Sequence, residues 1–130
     1  MWMPLTDVVS EMGTLIFAPR SGEHGYLSKK PISDESEHYF QQYVEGQGYP
    51  LATNGDMTAG DASFHSGWVL HSAPGNATNV LRKVMTVIYF ADGARVTEPD
   101  NRNRARDLQR WLPGLKPGDL AASPINLRIV

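Results

Sequence analysis

Four histidines and one arginine are the residues of this chain best placed to do chemistry: His24, His38, His65, His71 and Arg82. His71 has the strongest context. Strand alternation groups it with Val69 and Ala73, at the end of an apolar run and just before Pro74-Gly75. An imidazole at a strand end facing a sheet interior suits a metal, and it equally suits a hydrogen bond to backbone. His65 precedes His71 by an even number of positions, but Gly67 interrupts the strand between them, so a shared face cannot be assumed. His24 sits in a glycine-containing loop, and His38 falls on the polar side of a helix. Arg82 lies in the row Val80, Arg82, Val84, Thr86, Ile88, Phe90. An arginine in an apolar row needs an anionic partner, because an unpaired buried charge is costly. That partner is either a carboxylate of the chain or the carboxylate of a bound small molecule. The opposite row (Leu81, Met85, Val87, Tyr89, with Lys83) is also mostly apolar, so the buried face is open.

These side chains must be held by short strands and turns. Residues 1–6, 14–18, 49–53, 62–65, 68–72 and 80–91 read as strands, the last being the longest, with Pro19, Gly60-Asp61 and Asp92-Gly93 as breaks. Residues 33–46 read as a helix with a capping box at Asp34 and Glu37 and an apolar stripe of Tyr39, Phe40, Tyr43 and Val44. Residues 101–111 read as a second helix, and residues 115–130 as an irregular tail. Arg102, Arg104, Arg106 and Arg110, accompanied by Asp100 and Asp107, read as a solvated face of that second helix. The expectation is a mainly β protein, a sandwich or barrel-like sheet decorated by two helices.

Composition narrows the function classes. The 130 residues carry 12 basic and 14 acidic side chains, a formal charge of −2. This lacks the basic excess of a nucleic-acid binder. With no cysteine, disulfides, thiolate metal sites and cysteine nucleophiles are excluded. No apolar run approaches a membrane span and no signal peptide is evident, so the expected location is cytoplasmic, with no membrane partner.

Gly60-Asp61-Ala62-Ser63-Phe64-His65-Ser66-Gly67-Trp68-Val69-Leu70-His71-Ser72, followed by Asn76 and Leu81-Arg82-Lys83, resembles the segment around the last metal histidine of the phytanoyl-CoA dioxygenase family. Trp2-Met3-Pro4-Leu5-Thr6-Asp7 with Glu11 and Gly13, the turn 19–24, and Leu115-Lys116-Pro117-Gly118-Asp119 resemble further pieces of it, with Met12 in place of the usual Asn. The resemblance implies a double-stranded β-helix, or jelly roll. It also implies iron(II) and 2-oxoglutarate as cofactors, and hydroxylation of a small organic substrate. By it His71 is the distal iron ligand, Arg82 pairs the 2-oxoglutarate carboxylate, and Trp2 lies near the co-substrate pocket.

The chain departs from that family at one point. The residues two positions after its histidines are Tyr26, Phe40, Gly67 and Ala73, so no His-x-Asp or His-x-Glu pair is present. Residues 1–130 therefore read as the C-terminal portion of an oxygenase domain, an incomplete jelly roll whose open sheet edges favour self-association. The alternative is a non-catalytic jelly-roll module that binds anions through Arg82 or serves oligomerisation.

Overall fold

The computed structural model describes every residue except Arg128 and Val130, on which the end of the expected tail falls. The chain divides into two compact units, Met1–Ile88 and Tyr89–Val130. Among the described residues there are five strands of two or three residues each, in two small antiparallel sheets, and two α-helices.

In the first unit, β1 (Trp2–Pro4) pairs with β5 (Val84–Thr86), setting Trp2 opposite Thr86. A second sheet runs in the order β3 (Ala52–Thr53), β2 (Ile16–Ala18), β4 (Leu70–Ser72). In it Phe17 stands opposite both Ala52 and His71. The strands are shorter than the apolar runs suggest, for a definite reason. A strand persists only where a neighbour takes up its backbone groups. Of residues 80–91 only three find a β1 partner, and Ile88, in the same row as Arg82, is 88% exposed. The expected strand 62–65 reduces to one bridge, Trp2 to Ser63, with both backbone bonds at 2.9 Å.

The core of this unit is Trp2, Val8, Met12 and Leu15, with Phe17 and Met57 packed against it. Between β1 and β2 a 3₁₀ turn, Ser10–Met12, carries Met12 inward and ends on Gly13 in the left-handed region (φ 82°). A second 3₁₀ helix, Pro19–His24, follows β2 directly. Its Ser21 is fully buried: Oγ donates to the Ala18 carbonyl at 2.6 Å and accepts from the Leu70 amide at 2.7 Å.

Helix α1 (Asp34–Gln47) starts at Ser33. The capping box is Ser33 with Ser36, one position earlier than Asp34 with Glu37: each serine hydroxyl accepts from the other's amide, at 3.2 and 2.9 Å. Asp34, Glu35 and Glu37 then fill the first turn, where the helix dipole favours negative charge. Phe40, Tyr43 and Val44 are half-buried, while Tyr39 is exposed.

The second unit holds α2 (Arg102–Trp111), capped by Asn101 accepting from the Arg104 amide at 3.0 Å. It also holds a backbone clasp in which Val96 exchanges hydrogen bonds with Gly118 and Asp119, and the Ala121 amide donates to the Ala94 carbonyl. The α2 arginines are exposed, with Arg104 paired to Asp100 at 3.2 Å. No helix among the described residues is long and apolar enough to cross a membrane.

Candidate functional site

His71 sits at the middle of β4, its register set by Phe17 on one side and by the Ser21 hydroxyl at Leu70. Its Nδ1 lies 2.9 Å from the Val69 carbonyl. A carbonyl only accepts, so Nδ1 carries a proton here, and Nε2 is the ring nitrogen left for another partner. Locking one ring nitrogen on backbone is how ligating histidines are commonly oriented.

His71 is not alone. The His65 ring lies 4.6 Å from it, centroid to centroid, and both rest against Phe17, at 5.0 Å (His65) and 6.2 Å (His71). The turn Ser66–Val69, closed by the Val69 amide on the Ser66 carbonyl, folds the chain back so that the two imidazoles meet despite Gly67. His65 Nδ1 is buried and has no hydrogen-bond partner among the described residues. Burial, and then the charge of His71, hold the His65 imidazole below the usual histidine range. No periodic signal in the sequence pairs them, because Gly67 interrupts the strand between. Neither His24, ring-stacked on Tyr49 at 6.2 Å, nor exposed His38 joins them.

Arg82 is half-buried, and its Nη1 donates to the carbonyls of Met12 (3.0 Å) and Gly13. The carboxylate expected as its protein partner is thus replaced by two backbone carbonyls at the end of the 3₁₀ turn, groups that such a terminus leaves without a helical partner. Gly13 permits this approach. A Cβ there would stand 2.1 Å from the Pro74 carbonyl oxygen and 2.9 Å from Arg82 Nη1. Between His71 and Arg82 the loop is shaped by Asn76, which accepts from the Thr78 amide (2.9 Å) and donates to the Val80 carbonyl (2.7 Å). The Ala77 amide ties this loop to the Glu11 carbonyl at 2.9 Å. Trp2 is 7% exposed in the core cluster, behind Phe17.

A cavity of about 730 Å³ opens between α1 and the β2–β4 sheet, with His71 in its wall. Phe17, Leu70, Phe40, Val44, Tyr26 and Trp68 supply much of its apolar lining, while Trp2, His65 and Arg82 are not among its lining residues. The structure therefore joins His71 to His65 and to the cavity, and places Arg82 over the 3₁₀ turn.

Among the described residues no group of three His, Cys, Asp or Glu side chains could enclose a metal ion. An octahedral iron site of two histidines and one carboxylate does not fit what these residues offer by themselves.

A family model described as phytanoyl-CoA dioxygenase matches residues 1–84, a span that includes Trp2, His71, Arg82 and the whole cavity wall. No curated protein and no solved structure matches the chain.

Proposed function

The chain belongs to the phytanoyl-CoA dioxygenase family, and from that premise we propose that it is the His71-bearing portion of an iron(II)/2-oxoglutarate-dependent jelly-roll dioxygenase hydroxylating a small organic substrate. The observation that supports this most is the ring of His71, oriented by its Nδ1 contact with the Val69 carbonyl, on a residue that lines the cavity. When bound, iron and the keto acid supply the oxidising power. The chain's own residues do the rest. His71 offers one nitrogen donor in a set orientation. Arg82, anchored by one nitrogen on Met12 and Gly13, provides the cation for the co-substrate carboxylate. Trp2 and Phe17 form the packed backing that keeps the imidazoles in place. The remaining donors, a His-x-Asp or His-x-Glu pair, come from polypeptide outside residues 1–130.

The open apolar surface of the chain favours that completion. Phe64, Leu81 and Ile88 are 69%, 70% and 88% exposed. The chain exposes 9499 Å². Two separate folded bodies with the masses of its two units would expose only about 8,100 Å². The excess, about 1,400 Å², is larger than the roughly 800 Å² that one partner gives to a standard interface. Further protein covering these faces is the simplest use for it, and a second copy meeting at the sheet edges is the form this takes in the oligomerisation reading.

The test is iron binding, measured anaerobically by calorimetry, on residues 1–130 and on a chain extended upstream to include a His-x-Asp or His-x-Glu segment. The extended chain should bind one iron and form succinate from 2-oxoglutarate, and His71→Ala should abolish both. Undiminished iron binding in His71→Ala would overturn the assignment.

A further inference from the structure

Helix α2 carries its charge against the rules of helix stability. Arg102, Arg106 and Arg110 recur every four residues, so they form one row along the helix, with neighbours roughly 6 Å apart along its axis. All three are exposed, while Leu108, across the helix from Arg106, is half-buried. Like charges four residues apart oppose helix formation. The row also opposes the helix dipole, because the first turn holds Arg102 and Arg104 and no acidic residue. Arg104 is drawn to Asp100, and Arg110 rests over the Trp111 ring at 4.8 Å. Among the described residues Arg102 and Arg106 take part in no ion pair.

Helix α1 carries the complement. Glu37, Gln41 and Glu45 stand at the same four-residue spacing, all exposed, and Asp34 extends the row toward the N-terminus. Glu45 lies near the end of a helix whose last turn has no basic residue, where the dipole disfavours a carboxylate. It accepts from Gln41 Nε2 at 3.1 Å, and the nearby Lys30 is engaged with Glu35. The signs are also divided along the chain. Residues 1–88 hold five basic and nine acidic side chains, a net −4, and residues 89–130 hold seven and five, a net +2.

We propose that the arginine row of α2 in one copy docks on the acidic row of α1 in a second copy. Laid antiparallel, Arg102 meets Glu45, Arg106 meets Gln41 and Arg110 meets Glu37, since the outer members of both rows stand about 12 Å apart along their helices. Guanidinium groups pair well with carboxylates and donate equally to the Gln41 carbonyl. The N-terminus of α2 then lies beside the C-terminus of α1, so each helix supplies the charge the other lacks at that end. Every copy carries both rows, so the contact can be reciprocal. A phosphate polymer or an anionic lipid surface also offers partners to the arginines, but it meets the net −4 of residues 1–88 as an opponent; a second copy uses that charge. The contact is separate from the exposed apolar faces of the first unit and, being made of charge, responds to salt.

Sedimentation equilibrium of residues 1–130 tests this by salt and by charge reversal. Raising sodium chloride from about 20 mM to about 500 mM shortens the Debye length from roughly 20 Å to roughly 4 Å and should weaken self-association by about tenfold or more. Arg102→Glu with Arg110→Glu, and separately Glu37→Arg with Glu45→Arg, should each weaken it at low salt by about tenfold or more. An equimolar mixture of the two variants should regain wild-type association, because each reversed row meets its opposite on the other chain. Circular dichroism verifies both helices, and the wild-type salt response decides if a variant fails to fold. Association unmoved by salt, or by reversal in a folded variant, belongs to the apolar faces; it would overturn this proposal and leave the reading of those faces intact. A monomer at low salt, or folded variants that stay apart when mixed, would overturn it too. So would capture of phosphatidylserine vesicles or oligothymidylate by the arginine row, lost on its reversal, with self-association unchanged.

Discussion

Replacing Gly13 by alanine tests the junction on which Arg82 depends. Gly13 has φ 82°, and a Cβ there would sit 2.1 Å from the Pro74 carbonyl oxygen, 3.1 Å from its carbon and 2.9 Å from Arg82 Nη1. Two separate penalties follow. The left-handed conformation disfavours any L-side chain by roughly 1–2 kcal/mol. Overpacking against backbone adds about 1–3 kcal/mol, because the Pro74 carbonyl must retreat by nearly an ångström and its loop is tied to Glu11 through the Ala77 amide. Gly13→Ala should therefore destabilise the first unit by about 2–5 kcal/mol, a large share of the roughly 5–15 kcal/mol that a domain of ordinary stability has. Urea unfolding followed by tryptophan fluorescence measures it, with the midpoint falling at unchanged slope. The Arg82 guanidinium resonance should shift in the same variant, since its carbonyl acceptors move. A loss below about 0.5 kcal/mol, the scatter of ordinary surface substitutions, would refute the close approach of the 74 loop to the 3₁₀ turn.

Arg82→Met should cost about 1.5–3 kcal/mol of stability, the worth of hydrogen bonds from a charged donor, and should abolish keto-acid affinity in the completed enzyme, read by calorimetry. Ser33→Ala removes the α1 cap and should cost about 1 kcal/mol, with a measurable loss of helical ellipticity. The pH dependence follows from His65. Its folded pKa is lowered, chiefly by burial and next by His71, so below about 6.5 the unfolded chain takes up a proton that the folded chain resists. Stability should be full above that pH and decline as pH falls through the lowered value; His65→Phe should flatten the profile in urea titrations between pH 5 and 7.5. Sedimentation of residues 1–130 should show association, and a compact monomer across the concentration range would contradict the interpretation of the exposed apolar surface.

The helices were readable because their signals are local. Asn101 and the serine–aspartate–glutamate start of α1 announce their ends, and the one-residue shift at Ser33 arises because a serine hydroxyl reaches the N3 amide as well as a carboxylate would. The strands were not, since β-branched runs such as residues 80–91 describe willingness to pair while β1 supplies only three partners. Arg82 was expected to need an anion; side-chain patterns hide backbone carbonyls, and its Met12 and Gly13 partners exist only once the 3₁₀ turn forms. His65 and His71 meet through a turn at Ser66–Val69, a geometry with no period to detect. The type of each candidate side chain was thus legible, and its neighbour was not.

The Ser21 hydroxyl, shut away from water and engaged with Ala18 and Leu70, acts as a latch on the alignment of β4. Sliding that strand by a single position would swing the His71 imidazole through the sheet to its reverse side. One oxygen atom, fifty residues earlier in the polypeptide, thereby decides which compartment the imidazole addresses. Loss of that oxygen would be felt as misdirected chemistry before it was felt as unfolding.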